Sequence, residues 1–520
     1  MAKKRLVLHL TLRDEITETP AGMSLFKRKE QTALYDILRL LGKAAGSPKI
    51  AGLLLSIKQL NLGWAQAEEM KKALSLFEER EKPVYVYFEQ PDNLGYYLVS
   101  NATKVFIPPA ATLELVGLRG EVFFFQKLFE ALGIEAELFN VGEYKSAAEM
   151  FQRMSYSAAS RRMTESILAE LHGRLVSAVV SRTKAAKEDA KWLIDQGPFT
   201  ARKAKENSLI DGISYEDEVE ELVKEELQAK DLMPASKFPM GEGLIKRLLT
   251  FRRPQIAVIE AEGLISTGES RRGQGRWPIL GSRTLLEQLQ DTRKRKRIKA
   301  VVLRINSPGG SGLASDLIWR EVKLTDEKKP LIVSFGNVSA SGGYYIATGG
   351  RTILADSNTL TGSIGVIGGK FNIKGLLQEL GITTDHVDQG RRAGYTSVTR
   401  PFRKDESEAF REQLSEFYEE LFLKRVSQNR SQEIEQVRKA AEGRVWTGSQ
   451  ALEMGLVDQI GGISEAVSIA KRTAGIEDRK VRLVIYTPKK SLRDLLPVQL
   501  EYRFLRERIF AIAPFLPRIR

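Results

Sequence analysis

The run Ile298-Lys-Ala-Val-Val-Leu-Arg-Ile-Asn-Ser-Pro-Gly-Gly-Ser311 decides the fold. Its first eight residues form a short, mostly apolar, β-branched run, which predicts a strand buried on both faces. Two glycines directly after it predict a tight loop whose backbone can approach a ligand closely. A helical pattern follows at 314–324. The strand has a counterpart in Ile50-Ala-Gly-Leu-Leu-Leu-Ser-Ile57, 248 positions earlier. The same offset relates Gly95-Tyr-Tyr-Leu98 to Gly343-Tyr-Tyr-Ile346, Gly117 to Gly365, Leu132-Gly-Ile134 to Leu380-Gly-Ile382, and Gly142 to Gly390. After a small shift, Leu209-Ile-Asp211 matches Leu456-Val-Asp458. A constant period of this length marks a duplicated unit.

The chain is therefore divided into a first copy at 1–230, a connector at 231–253, a second copy at 254–488 and a basic amphipathic tail at 489–520. In the second copy, expected strands at 256–259, 300–305, 331–335 and 352–355 alternate with helices at 314–324 and 374–380. Such alternation predicts an α/β protein with mostly parallel sheets and crossover helices.

Composition removes several functional classes. The 520 residues contain no cysteine, which excludes disulfides, a thiolate nucleophile and a Cys-ligated zinc. Only His9, His172 and His386 are present, and they form no metal-binding motif. No metal or organic cofactor is expected. Net charge is +14, with basic patches at Arg293–Arg297, at Arg271, Arg272 and Arg276, and in the tail. These patches suit solvated faces or an anionic membrane surface. Nothing resembles a nucleic-acid-binding motif, so no nucleic-acid partner is expected. The basic start leads into an alternating run, Leu6, Leu8, Leu10 and Leu12, which predicts a strand rather than a signal peptide. No window is long and apolar enough for a transmembrane helix, so a peripheral membrane or cytoplasmic protein is expected. The tail mixes Leu495, Leu496, Phe504, Ile509, Phe510 and Phe515 with Arg503, Arg506, Arg508, Arg518 and Arg520. It suits either an interfacial helix or a segment packed on its own protein.

The copies differ where chemistry is expected. The second reads Ser339-Ala-Ser341-Gly-Gly-Tyr344 where the first reads Pro91-Asp-Asn93-Leu-Gly-Tyr96, so Ser341 stands opposite Asn93. Taken alone, Ser-Gly-Gly is a common turn or helix cap. After a buried strand, it also suits a strand-to-helix turn that exposes Oγ and aims the next N–H at an oxyanion. Gly309 and Gly310 form a second glycine-rich turn, suited to an oxyanion or a phosphate, although the P-loop ending is missing. The first copy keeps Gly142-Glu-Tyr-Lys145-Ser-Ala147, and the second has no lysine opposite Lys145, only Ala393 or, with a three-residue insertion, Thr396. Each copy thus holds one reactive residue type that the other lacks.

Together, Asn306-Ser-Pro-Gly-Gly-Ser311, Ala340-Ser-Gly-Gly-Tyr344, Leu360-Thr-Gly-Ser-Ile-Gly365 and Tyr144-Lys-Ser-Ala147 resemble the long, duplicated form of signal peptide peptidase A, within the ClpP/crotonase superfamily. The resemblance runs from about residue 5 to 485. It implies two tandem crotonase-like repeats and a serine peptidase with a Ser/Lys dyad, Ser341 as nucleophile and Lys145 as base. Ser363 would orient the lysine. Gly342 with Gly309 or Gly310 would form the oxyanion hole. Apolar peptides such as cleaved signal peptides are the implied substrates, and a homotetramer facing a membrane is the implied assembly. The chain departs from the family's usual form in lacking a membrane span near its start. Burial supports a lysine base, because it disfavours the ammonium and lowers its pKa. An acyl-CoA enzyme would use similar glycine amides but leaves the Ser341/Lys145 pairing unaccounted for. An inactive scaffold would have no use for keeping all these residues.

Overall fold

The computed structural model describes residues 5–13, 16–18, 32–240, 253–271, 278–487 and 509–513. It divides into two compact units. One comprises Met1–Arg119 and Leu168–Arg253; the other comprises Gly120–Ile167 and Pro254–Ile519.

In the first unit, six parallel strands lie in the order Gly212–Ile213, Lys104–Ile107, Val84–Phe88, Ile50–Ile57, Leu6–Leu12 and Leu232–Pro234. Ile50–Ile57 is almost wholly buried because helices cover its sheet, as its unbroken apolar run predicts. Leu6–Leu12 is the predicted strand. Leu232–Pro234, inside the expected connector, is an edge strand on Leu6–Leu12. An edge tolerates a proline at the strand end, where no ladder N–H is needed.

The second unit repeats this order with Gln459–Ile460, Thr352–Ala355, Leu331–Ala340, Ile298–Ser307, Gln255–Glu262 and Arg482–Tyr486, again all parallel. The duplication seen in sequence is thus a duplication of sheet topology. Leu331–Ala340 is long enough to branch: its first half pairs with Thr352–Ala355 and its second with Leu360–Gly362. The predicted helices at 314–324 and 374–380 are Gly312–Lys328 and Lys374–Glu379. Gly312–Lys328 begins where Ser311 Oγ accepts the Ala314 N–H at 3.1 Å, a cap that contributes about 1 kcal/mol.

A second sheet in this unit runs Ile279–Gly281, Leu264–Ser266, Gly309–Ser311, Ile509–Ile512, Val366–Asn372 and Glu135–Val141. Gly309–Gly310, read as a loop, is therefore a strand with a neighbour on each side. The tail residues Ile509–Ile512 pack on their own protein as a strand. The other tail residues named above, and Arg272 and Arg276, lie outside the described residues. In the basic run, Arg295 bonds Asp291 at 2.7 Å, Arg293 pairs with Glu321, and Lys294–Arg297 are exposed. Among the described residues, no helix is long and apolar enough to cross a membrane.

Candidate active site

Ser341 sits where the strand Leu331–Ala340 turns into the helix Gly342–Ala347. Its φ is +55°, a left-handed conformation that costs a non-glycine residue about 1 kcal/mol or more. The Ser341 N–H holds the turn by donating to the Gly362 carbonyl at 2.8 Å. Gly342 is the first residue of its helix, so its N–H has no intrahelical acceptor. A side chain at Gly343 would meet the Ser307 carbonyl at 2.9 Å, which accounts for the second glycine.

Lys145 follows the strand Glu135–Val141, which pairs antiparallel with Val366–Asn372. That pairing makes the segment around Lys145 part of the same compact unit as Ser341, although it comes from the first sequence copy. The site lies inside one compact unit and joins Lys145 of the first copy to Ser341 of the second. Gly443 permits the approach: a Cβ there would lie 2.4 Å from the Lys145 backbone nitrogen. Its φ of +78° is a second reason for glycine. Sequence reading missed Gly443, because its role depends on a residue 298 positions away.

Lys145 Nζ lies 2.7 Å from Ser341 Oγ, 3.0 Å from Ser363 Oγ and 2.9 Å from the Ser363 carbonyl oxygen. Lys145 is 1% exposed, and Ser341 and Ser363 are wholly buried. Ser363 also has positive φ, +50°, and its N–H donates to the Arg444 carbonyl at 2.6 Å. Among the described residues no acidic group offsets the burial of the amine, and desolvation holds Lys145 well below the ordinary lysine value of 10.5. A neutral amine has two N–H donors and one lone pair. The two partners on Ser363 take the donors, and the lone pair is left facing the Ser341 hydroxyl.

Gly309 and Gly310 lie beside this group. The Gly309 N–H donates to Ser307 Oγ at 3.1 Å, and Ser307 Oγ donates to the Gly263 carbonyl at 2.6 Å. The Gly310 N–H belongs to the other edge of its strand, facing Ile509–Ile512. A Cβ on Gly309 would lie 2.8 Å from the Gly342 nitrogen, so the two glycine turns adjoin. All the sequence-predicted site residues are therefore in one cluster: Ser341, Lys145, Ser363, Gly342, Gly309 and Gly310.

Among the described residues, the one group with ligand atoms close enough for a metal is His9, Glu216 and Glu220, in the first unit. Lys58 Nζ already lies 2.5 Å from Glu216, and His9 Nε2 is 2.9 Å from Ser56 Oγ. A lysine in that position repels a cation, so the group is an ion-pair network.

The chain matches peptidase family S49 over residues 77–230 and 323–477. It is 35% identical to the chloroplastic serine protease SPPA of Arabidopsis thaliana, covering 95% of this chain and 73% of that protein. It is 31% identical to Protease 4 of Salmonella typhi, covering 86% of this chain and 73% of that one. Among solved structures it is similar to a point mutant of ClpP1 from Listeria monocytogenes, at 15% identity and a TM-score of 0.26, covering 43% of this chain and 99% of that one. It is also similar to a point mutant of the 1510-N membrane-bound stomatin-specific protease, at 12% identity and a TM-score of 0.28, covering 46% of this chain and 99% of that one. The two matched segments fall one in each copy of the repeat, and the chain belongs to peptidase family S49 and is a serine peptidase.

Proposed function

We propose that the protein is an endopeptidase in which Ser341 attacks the scissile carbonyl and Lys145 is its base. The observation that carries this is the buried, desolvated Lys145 amine 2.7 Å from Ser341 Oγ. Neutral Lys145 accepts the Ser341 proton as Oγ adds to the carbonyl carbon, and then delivers it to the leaving amine. Ser363 keeps the amine aimed at Oγ throughout. The N–H groups of Gly342 and Gly310 receive the oxyanion, a contribution of about 2.7–4 kcal/mol for each donor. Gly309 shapes that pocket, because its own N–H is directed to Ser307. Water then hydrolyses the acyl-Ser341 ester with Lys145 again as base. Apolar peptides, including cleaved signal peptides, are the substrates this reading names, and an extended peptide would pair along Gly309–Ser311.

The test is cleavage of fluorogenic apolar peptides by wild type, Ser341→Ala and Lys145→Ala, each checked for folding by circular dichroism. Activity confined to the wild type is expected. Undiminished cleavage by Lys145→Ala would remove the lysine from the mechanism, and by Ser341→Ala would remove the serine.

A homo-oligomer, with the tetramer as the expected form, belongs to the same reading and has its own support. Glu135–Val141 pairs antiparallel with Val366–Asn372. The 248-residue offset makes 383–389 and 118–124 the equivalents of these two strands, yet both lie outside any strand. Residues 381–390 are all exposed, with Val387 at 95%, and Phe123 is 70% exposed. Pairing of 383–389 with 118–124 of a second copy would repeat the internal contact head to tail, and such contacts generate rings. Light scattering should show an oligomer that Val387→Asp weakens; a monomeric wild type would end this reading.

A further inference from the structure

Lys145 reaches Ser341 because two loops are locked together. One, at 142–146, carries the lysine; the other, at 441–444, follows the helix Ile434–Ala440. A Cβ on Gly142 would fall 2.6 Å from the Glu442 carbonyl carbon, and one on Gly443 would fall 2.4 Å from the Lys145 nitrogen. Each glycine thus admits the backbone of the other loop. The Tyr144 N–H donates to the Glu442 carbonyl at 2.7 Å. On its other side the loop at 441–444 grips the segment that orients the amine. The Gly443 N–H donates to the Ile364 carbonyl at 2.7 Å, and the Arg444 carbonyl accepts the Ser363 N–H at 2.6 Å. All these residues belong to the second compact unit.

Glu442 joins these contacts to the core. Its φ is +55°, a left-handed conformation unfavourable for a residue with a Cβ. Its Oε2 accepts the Glu143 N–H at 3.3 Å, and its Oε1 accepts the Tyr418 hydroxyl at 3.0 Å. Tyr418 is buried in the main core of the unit. The carboxylate therefore ties the lysine loop to a fixed point. The first copy lacks this arrangement. There Thr112–Leu113 pairs with Phe199–Thr200 as Leu360–Gly362 pairs with Val445–Thr447. Leu113 opposite Phe199 matches Thr361 opposite Trp446, so Asp195 stands where Glu442 does and Gln196 where Gly443 does. Asp195 ends the helix Lys187–Asp195, and Gln196 has an ordinary φ of −88°. The strained turn is found in the copy whose turn meets Lys145.

We propose that Glu442 is a positioning residue of the peptidase, whose carboxylate and strained backbone hold the loop at 142–146 so that the Lys145 amine meets Ser341 with water excluded. This rests on the reading of Lys145 as the base. Glu442 acts through the loop and not on the amine, whose partners are Ser341 and Ser363. Releasing the loop has two consequences. The amine loses its aim at Oγ, and water enters beside it. Water stabilises the ammonium, so the pH at which Lys145 gives up its proton rises toward the ordinary lysine value.

The test measures kcat and KM across pH on a fluorogenic apolar peptide. The proteins are full-length wild type, Glu442→Ala, Glu442→Gln, Tyr418→Phe and Lys145→Ala, each checked for folding by circular dichroism. Glu442→Ala should lower kcat roughly 10- to 100-fold with KM unchanged, as a small misplacement of a catalytic group does. Its pH–rate midpoint should lie above that of wild type, whereas a mere loss of folded protein lowers the rate without moving the midpoint. Glu442→Gln should recover most of the rate, because its amide oxygen accepts the Glu143 N–H and its NH₂ donates to the Tyr418 oxygen. Tyr418→Phe keeps the ring and removes the anchor, so it should move the midpoint in the same direction and carries the test if Glu442→Ala does not fold. Unmoved midpoints, or a Gln variant no better than Ala, overturn the proposal. Wild-type cleavage by Lys145→Ala overturns the base assignment and this proposal with it. An inactive Lys145→Ala beside a wild-type Glu442→Ala leaves the base standing and ends this proposal alone.

Discussion

Removing the Ser363 hydroxyl tests the proposed mechanism without touching substrate, nucleophile or base. Ser363 Oγ is 3.0 Å from Lys145 Nζ in a wholly buried setting. Of the three partners around Nζ, it is the one that a side-chain substitution removes while leaving the nucleophile, because the 2.9 Å contact comes from the Ser363 backbone carbonyl. Losing one buried hydrogen-bond partner costs about 1–3 kcal/mol. If that cost falls on the transition state, kcat drops by roughly 5- to 150-fold. KM should hold, because Ser363 contacts the amine and not the peptide. The backbone complicates the choice of variant, since Ser363 has a φ of +50°. Ser363→Ala keeps that strain, whereas Ser363→Gly relieves it. The two variants should therefore differ in melting temperature but share the same fall in kcat, measured on a fluorogenic peptide above neutral pH. Wild-type kcat in both would show that the hydroxyl does not position the lysine.

Other consequences follow from the same geometry. Ser341→Ala and Lys145→Ala should each lower kcat by on the order of 10⁴-fold or more, and the double variant little further, because the pair acts as a unit. The rate should rise with pH through the depressed Lys145 value and level off well below 10.5, the ordinary lysine value; a midpoint at 10.5 would show a protonated, solvated lysine. Stability carries the same signature. Between the depressed folded value and 10.5 the unfolded chain binds the additional proton, so stability rises with pH across that window and is flat above it. Lys145→Met should flatten that slope in urea titrations at several pH values. Gly443→Ala should lose both activity and stability, because its Cβ would fall 2.4 Å from the Lys145 nitrogen at a φ of +78°; activity equal to wild type would show that the loop shifts at no cost to the amine.

The readings that succeeded rest on local pattern. The apolar run at Ile298 to Ile305 and its copy at Ile50 to Ile57 are strands of parallel sheets covered on both faces, a setting that accommodates such runs. Ser341 is at a strand-to-helix turn because glycines follow a buried strand. Three features were hidden because they depend on distant partners. Gly309–Ser311 reads as a loop, since glycine is disfavoured in strands, but pairing on both sides holds it extended. Ile509–Ile512 reads as part of an amphipathic basic tail, and its strand partner Gly309–Ser311 lies far earlier in the chain, where no local pattern points to it. Gly120–Ile167, from the first copy, belongs to the second compact unit, and sequence contiguity gives no sign of such an exchange.

The first copy offers a comparison for the conformation at Ser341. Asn93 stands where Ser341 does, yet it lies inside the helix Asn93–Val99 with ordinary backbone geometry. Asp92 caps that helix by accepting the Gly95 N–H at 2.7 Å. The Asn93 side chain donates to the Gly117 carbonyl at 2.8 Å and accepts the Val116 N–H at 3.1 Å. Its polar atoms are thus engaged in holding a loop. At Ser341 the same junction adopts a φ of +55°, and Oγ faces a lysine rather than the backbone. One sheet topology therefore supports both a relaxed turn and a strained one. The strained form is not demanded by the fold, since the relaxed form closes an equivalent strand-helix junction. Its cost is offset locally, by the Ser341 N–H on Gly362 and by packing around a wholly buried helix. Strain present at this junction in one copy and absent from the equivalent junction in its duplicate supports the proposed role of Ser341, alongside the motif.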